Sequence, residues 1–389
     1  MPVIRTLKIK LSYGAFATIY YPSHIQQYMQ QRYERLFKIL NGSTDAVVIA
    51  NGSDNHVDHN FRYFVRANSG IFEGSVAIIT KRSIHVITSP LEAPALDGLD
   101  VQFDVIRTKN DMGNLLRKSL SGFSTIGMNF PAVTHESFRS IRKAFKGRIV
   151  DCSGQLADCR AVKDEGEISA IASSCRIASR VADMIPGFLK EGITERKLSS
   201  LISKALYEVG SESPSFAPIV SFGRTSAIPH YSPGNLKLKS GNFVLADFGG
   251  TYKRYCSDIT RTFVFGKASS RQKNLYETVL SAQSAAMSQL RRGATAKEVD
   301  AAARSVIDSS EFKGTFIHSL GHGLGLQVHD GLPSLSPSSK GKLESGMVVT
   351  VEPGAYLQGF GGVRIEDDVV VTSSSPRILT DADRQLIEC

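Results

Sequence analysis

Several familiar signals are missing from this chain, and each absence excludes something. No apolar run approaches the roughly 18 residues of a membrane span. The first 24 residues are basic and apolar, but Ser12, Tyr13 and Gly14 interrupt them and no small-residue cleavage site follows. The five cysteines, Cys152, Cys159, Cys175, Cys256 and Cys389, are odd in number and contain no CxxC spacing. That argues against a disulfide framework or a zinc knuckle and for reduced thiols. A mature, cytoplasmic protein with no membrane partner is the expectation. There is also no basic run of the kind that marks a nucleic-acid arm. The net charge is +9, with 19 basic and 11 acidic side chains in residues 1–150 and 27 and 26 in the remainder. The densest stretch, 136–148, sets Arg139, Arg142, Lys143 and Lys146 against Phe138, Ile141 and Phe145. That pattern predicts an amphipathic surface helix, and no nucleic-acid partner is expected. The cluster Gly321-His322-Gly323-Leu324-Gly325 lacks the Lys-Ser/Thr of a nucleotide loop and the G-x-G-x-x-G spacing.

What is present has a two-part plan. At 389 residues, 42% apolar and 21% charged, the chain has room for two ordinary globular domains. Over 25–40, Met29, Tyr33, Leu36, Phe37 and Leu40 fall on one helical face, and Asn41-Gly42 ends the helix. Strand signals at 46–50, 76–79, 85–87, 101–106 and 125–128 alternate with helix signals at 111–120 and 137–146. The reading is a smaller N-terminal α/β domain over 1–155, with 1–25 set apart as a candidate extension. His56 and His59 sit beside Asn51, Gly52, Ser53, Asp54 and Asn55, a polar surface loop by composition. A second domain over 156–389 opens with a polar stretch. Helices are predicted over 167–185 and 195–209, then over 270–290 and 296–309, with Thr194 and Thr295 as N-caps.

The chemistry gathers around 243–265. Asp247 follows Phe243-Val244-Leu245, and Asp258 precedes Ile259-Thr260, with Gly249-Gly250 and a polar segment between them. Two β-favouring runs joined by a glycine-containing turn predict a hairpin that places the two carboxylates on facing strands. An aspartate among apolar strand residues is costly unless paired or bound to a cation, and two side by side repel. Three further candidate ligands follow: His322 in the glycine cluster, Glu352 in Val351-Glu352-Pro353-Gly354, and Glu366 in Arg364-Ile365-Glu366-Asp367. A second hairpin with its tip at 359–362 is expected to bring Glu352 and Glu366 together. Four carboxylates and one imidazole suit Mn²⁺, and also Co²⁺, Zn²⁺ or Fe²⁺. The set exceeds what one ion needs and fits two ions about 3.5–4 Å apart. The glycines around His322 are read as backbone that must come close to a metal-bound substrate. Cys256, near Asp258, is read as a small packed side chain rather than a thiolate ligand.

The order Asp, Asp, His, Glu, Glu, in the phrases ADFGG, SDITRT, HSLGHGLG, VEPG and RIEDD, resembles the pita-bread metallopeptidase family over residues 159–371. That family includes proline dipeptidases, aminopeptidase P and methionine aminopeptidases, and the proline-specific branch is the closer likeness. The resemblance implies an α+β fold, with a C-terminal pita-bread (creatinase/aminopeptidase) catalytic domain behind the N-terminal α/β domain. It implies two divalent metal ions per chain, with Mn²⁺ or Co²⁺ preferred. Asp247 would bind one ion, Asp258 and Glu366 would bridge, and His322 and Glu352 would bind the other. Glu352 would also move the proton, and Arg364 would orient a metal-bound carboxylate. His329 would contact the scissile carbonyl, while His230 and His318 would shape the substrate pocket. The implied activity is hydrolysis of the bond between an N-terminal residue and proline, on a di- or oligopeptide, by a homodimer. The alternatives are a non-catalytic binding module or a creatinase-type hydrolase of the same fold, and a methionine aminopeptidase. No arginine follows His329 closely, which leans slightly away from a strict dipeptidase.

Overall fold

The computed structural model describes residues 6–10, 16–20, 23–53 and 56–389. Of the residues used above, Ser12, Tyr13, Gly14, the Met29 side chain and the loop residues Asp54 and Asn55 lie outside the described residues. The chain divides into two compact units, Met1–Cys159 and Arg160–Cys389, and the division falls within helix Ser153–Ala161.

The first unit is built on a six-stranded sheet. Its order is Gln102–Val105, Ile84–Thr88, Val76–Ile79, Ala46–Ala50, Thr125–Met128 and Arg148–Asp151. The central strand Ala46–Ala50 is buried at every position, which is why its sequence is continuously apolar rather than alternating. It pairs in parallel with Thr125–Met128 and antiparallel with Val76–Ile79. Helices Asp111–Ser119 and His135–Ala144 bury Leu116 and Ile141 in one cluster with Val48, Ile78, Ile126 and Met128. Thr6–Lys10 and Phe16–Tyr20 form a separate antiparallel pair. Two segments read as irregular are helical. His59–Val65 is capped by Asp58, and Ser153–Ala161 occupies the polar stretch at the unit boundary.

The second unit repeats one plan twice. Helices Glu165–Phe188 and Glu195–Glu208 precede the central hairpin, and helices Ser270–Gln289 and Ala296–Asp308 follow it. Each has a polar N-cap. The Asp164, Thr194, Ser269 and Thr295 side chains accept from the N–H three residues on, satisfying donors that a helix start leaves free. The first helix pair buries Val181, Ile185, Leu198 and Ile202 against Val220, Val244 and Ile259 of a three-stranded sheet. That sheet runs Ile259–Val264, Phe243–Phe248, Ile219–Phe222. The second pair buries Leu275, Val279, Val299 and Ile307 against Val349, Val351, Val363 and Ile365. These residues lie on or beside strands Val348–Val351 and Gly361–Arg364; Val348–Val351 pairs with Asp367–Val370, and Gly361–Arg364 with Gly354–Leu357. Each fully buried aliphatic side chain contributes about 1.5–3 kcal/mol. Two such cores hold the strand ends that face each other across the site. Among the described residues no helix is long and apolar enough to cross a membrane.

Candidate metal centre

Asp247 lies on strand Phe243–Phe248, opposite Thr260. Asp258 is not on the facing strand, as the hairpin reading expected, but just before Ile259–Val264. In an antiparallel ladder this puts it on the same face as Asp247, one diagonal step away, still within side-chain reach. The chain reaches that position through a tight detour, Thr251–Tyr252 paired with Tyr255–Cys256. Lys253 and Arg254 form its turn at φ 47° and 67°, and the Glu212 carboxylate accepts both of their N–H groups. Asp258 is then fixed by its own N–H, which donates to Asp368 Oδ2 at 2.9 Å. Glu352 and Glu366 stand at the adjoining ends of the paired strands Val348–Val351 and Asp367–Val370, at the base of the Gly354–Leu357 and Gly361–Arg364 hairpin.

His322 completes the set. Its Nδ1 is 3.2 Å from the Gly323 carbonyl, which can only accept, so Nδ1 carries the proton and Nε2 presents its lone pair. Nε2 lies 3.4 Å from Glu352 Oε1 and 3.7 Å from Asp258 Oδ2. Asp258, His322 and Glu366 each offer a ligand atom within 4.8 Å of the others.

The donor set fits a divalent cation by what it leaves unsatisfied. Asp247 Oδ1, Asp258 Oδ1 and Glu366 Oε1 are buried without a hydrogen-bond partner. Isolated buried carboxylates are expensive. Burial, then the neighbouring carboxylates, push the Asp258 and Glu366 acids well above their usual range. Burial likewise pushes Glu352 up to about 8, against the pull of Arg364. A cation among these oxygens reverses that logic and keeps them ionised.

All nine residues singled out in the sequence line one cavity of about 490 Å³: Asp247, Asp258, His322, Glu352, Glu366, His230, His318, His329 and Arg364. Phe216, Ile219, Pro229 and Val328 supply an apolar part of its wall. The His329 ring stacks on His322, with centroids 3.9 Å apart. Arg364 is buried beside Asp247. It donates through Nη2 to Asp247 Oδ2 at 2.5 Å, through Nε to Thr260 Oγ1, and through Nη1 to Tyr356 OH. Asp247 Oδ2 keeps a second lone pair, and Oδ1 is untouched. His318 Nδ1 donates to the Ser319 carbonyl, so its Nε2 accepts from the Tyr356 hydroxyl at 2.9 Å. Burial and the Arg364 guanidinium lower the His318 pKa to about 4; burial and His329 lower that of His322 to about 4. Both imidazoles are neutral at pH 7.

Several supporting residues were not read from the sequence. Thr260 Oγ1 donates to Glu366 Oε2 at 2.7 Å, and Thr350 Oγ1 to Glu352 Oε1 at 3.1 Å. Both threonines sit two positions from a ligand on a strand, hence on its face, which is the signal that finds them. Tyr356 is diagonal to Arg364 across the second hairpin and is found the same way. Asp330, next to His329, is held by Arg160 and Lys163, and no local pattern connects residues so far apart. The glycines around His322 have a different cause from the one expected. A Cβ on Gly321 would overlap the Thr350 carbonyl, one on Gly323 the Leu332 carbonyl, and one on Gly325 the Asp330 carboxylate. The first two let backbone pack on backbone, and the third lets the backbone pack on the Asp330 side chain. Cys256 packs with Ile168, Ile171 and Leu324, and burial pushes its thiol up to about 12, far from thiolate chemistry.

Comparison with known proteins bears on the family and the fold. Residues 169–373 match the sequence model of metallopeptidase family M24. The chain is 32% identical over 363 residues to the Xaa-Pro dipeptidase of Pyrococcus horikoshii, covering 92% of this chain and 99% of that one. Its fold matches the Xaa-Pro dipeptidase of Bacillus anthracis with a TM-score of 0.86 at 31% identity, over 93% and 100% of the two chains. It matches the X-Pro aminopeptidase of Thermotoga maritima with a TM-score of 0.83 at 31% identity, over 89% and 98%.

Proposed function

The chain belongs to metallopeptidase family M24, and from that premise we propose that it hydrolyses the bond between an N-terminal residue and a following proline. One observation carries the reading. Three unpartnered buried carboxylate oxygens and an Nε2 lone pair meet in a cavity that also holds three further histidines and an apolar wall. Asp258, His322, Glu352 and Glu366 would hold one divalent ion, His322 Nε2 lying 3.4 Å from Glu352 Oε1, and Asp247 would complete the shell of a second, with Mn²⁺ or Co²⁺ as the preferred ions. When bound, such ions polarise the scissile carbonyl and lower the pKa of bound water into the neutral range.

The chain's own residues would do the rest. An Xaa–Pro bond has a tertiary amide nitrogen and no N–H to recognise. The site must instead fit the ring and deliver a proton to that nitrogen as it leaves. Phe216, Ile219, Pro229 and His230 would receive the pyrrolidine ring. Glu352, steadied by Thr350, would carry the proton on a carboxylate oxygen to the proline nitrogen. His329 would donate to the carbonyl oxygen as charge develops there. His318 has both ring nitrogens engaged, so its part is to wall the pocket and to fix the Tyr356 hydroxyl.

The test is a peptide panel on metal-reconstituted enzyme. Met-Pro and Ala-Pro-Xaa peptides should be cleaved, and Met-Ala-Xaa peptides should not. EDTA should abolish activity, and Mn²⁺ or Co²⁺ should restore it. Equal cleavage of the alanine peptide would replace this reading with that of a methionine aminopeptidase. The balance between dipeptides and tripeptides decides between dipeptidase and aminopeptidase.

A further inference from the structure

We propose that Glu195 is a positioning residue that sets the His230 wall of the substrate cavity and thereby the preference for proline, an inference that rests on the reading above. Glu195 is the first residue of helix Glu195–Glu208 and is 0% exposed. Its Oε1 accepts from the Phe222 N–H at 3.0 Å and the Thr225 hydroxyl at 2.6 Å. Its Oε2 accepts from the Tyr231 hydroxyl at 2.9 Å and the Gly234 N–H at 3.0 Å. An ionised carboxylate has about four lone-pair sites, and here all four are filled. The helix start adds a favourable field for the charge.

All four donors belong to one segment. It leaves strand Ile219–Phe222, turns through Gly223–Ala227, and passes His230 before reaching Gly234. The turn itself has a second anchor, since Ser226 accepts from the Gly362 N–H. Beyond it, Tyr231 and Gly234 reach Glu195 on the far side of His230. Gly234 has no Cβ, and one there would meet both the Tyr231 hydroxyl and Glu195 Oε2. The His230 side chain makes no hydrogen bond among the described residues and is exposed to the cavity. Its place therefore follows from its backbone, which Pro229 and Pro233 stiffen and Glu195 clasps on both sides. A glutamine in its place turns an NH₂ toward one pair of donors and opens that half of the clasp.

The experiment compares wild type, Glu195→Gln, Tyr231→Phe, His230→Ala and the double variant Glu195→Gln/His230→Ala, all metal-loaded, with metal content measured in each. Glu195→Gln should keep its metal, raise KM for the best Xaa-Pro peptide by about tenfold with a smaller change in kcat, and lower the ratio of Xaa-Pro to Xaa-Ala cleavage similarly. Tyr231→Phe should move the same quantities in the same direction by less. It carries the test if the glutamine variant fails to fold. The decisive number is the coupling. In the His230→Ala background the second substitution should cost almost nothing further. Additive losses, or an unchanged KM and selectivity, overturn the inference. A wild type with no preference for proline fails the reading of the function, not this one. The coupling between Glu195 and His230 is then read on whichever peptide is cleaved, and additivity there refutes the clasp.

Discussion

Replacing Thr260 by valine removes one oxygen and almost no volume. Thr260 is fully buried, so no water replaces what is lost. Its hydroxyl donates to Glu366 Oε2 at 2.7 Å and accepts from Arg364 Nε at 3.1 Å. Hydrogen bonds to charged partners contribute about 1.5–3 kcal/mol each, and a buried donor left unpaired costs its desolvation. Arg364 keeps its bonds to Asp247 and Tyr356, so the total loss should lie at the lower end of that sum, on the order of 3 kcal/mol. The metal dependence gives the sharper number. Without the ion, burial and the neighbouring carboxylates push the Glu366 acid well above its usual range, which disfavours the charge that the Thr260 hydroxyl serves. With the ion bound the carboxylate is ionised. Losing a bond of this kind costs about 10–100-fold in metal affinity, or about 1.4–2.7 kcal/mol. Urea unfolding with and without Mn²⁺, together with a Mn²⁺ titration by calorimetry, measures both terms. Thr262→Val is the control: Thr262 bonds only the Arg364 backbone, so it should lower stability and leave affinity alone. Thr260→Val protein that binds Mn²⁺ within twofold of wild type would refute the argument.

His329→Ala should lower kcat by about 10²-fold or more with metal content unchanged, as for the loss of an oxyanion donor, whereas Asp258→Asn should lose metal and activity together. Acid should weaken the metal-loaded protein through His318. The unfolded imidazole takes a proton below about 6.5, and the folded one does so only near 4. The unfolded state therefore binds more protons between those values, and stability falls as pH is lowered from about 6.5 to 4, by about 2–3 kcal/mol at most. Urea midpoints at pH 7 and 5 should converge for His318→Gln relative to wild type; parallel losses in the two proteins would contradict this. A homodimer is expected, and light scattering that returns a monomer at working concentration removes that expectation.

The parts of the fold that could be read were those with long periodic stretches. The four helices of the second unit each carry an apolar stripe behind a Ser, Thr or Asp cap, and three of their starts are the expected residues while the fourth lies two residues earlier. Short elements failed for want of length. His59–Val65 is seven residues with five of them buried, too little for a period to emerge beside a polar loop. Ser153–Ala161 has scarcely any amphipathic contrast, so it reads as linker. In the site, the ionisable residues stood out because a charge in an apolar strand demands a reason. Thr260, Thr350 and Tyr356 did not, since a hydroxyl in a strand is unremarkable until its register is known. Asp258 was placed one step wrong because the detour through 251–256 moves it out of the ladder. The glycines at 321, 323 and 325 revealed close approach without revealing what approaches.

The Asp330 anchor bears on where this chain can be cut. Asp330 is 2% exposed, and its carboxylate is held by Arg160 and Lys163, about 170 residues earlier. A shortened chain begun at residue 169, the first matched by the family, would discard both cations and keep the anion. Breaking a buried pair from one side costs about 3–5 kcal/mol, a large share of the 5–15 kcal/mol that typically separates folded from unfolded protein. The damage would surface first at the neighbouring His329, 160 positions along the sequence from the new terminus. A truncated chain should therefore retain the 159–163 segment, and its thermal melt against one begun at 169 measures how much the anchor contributes.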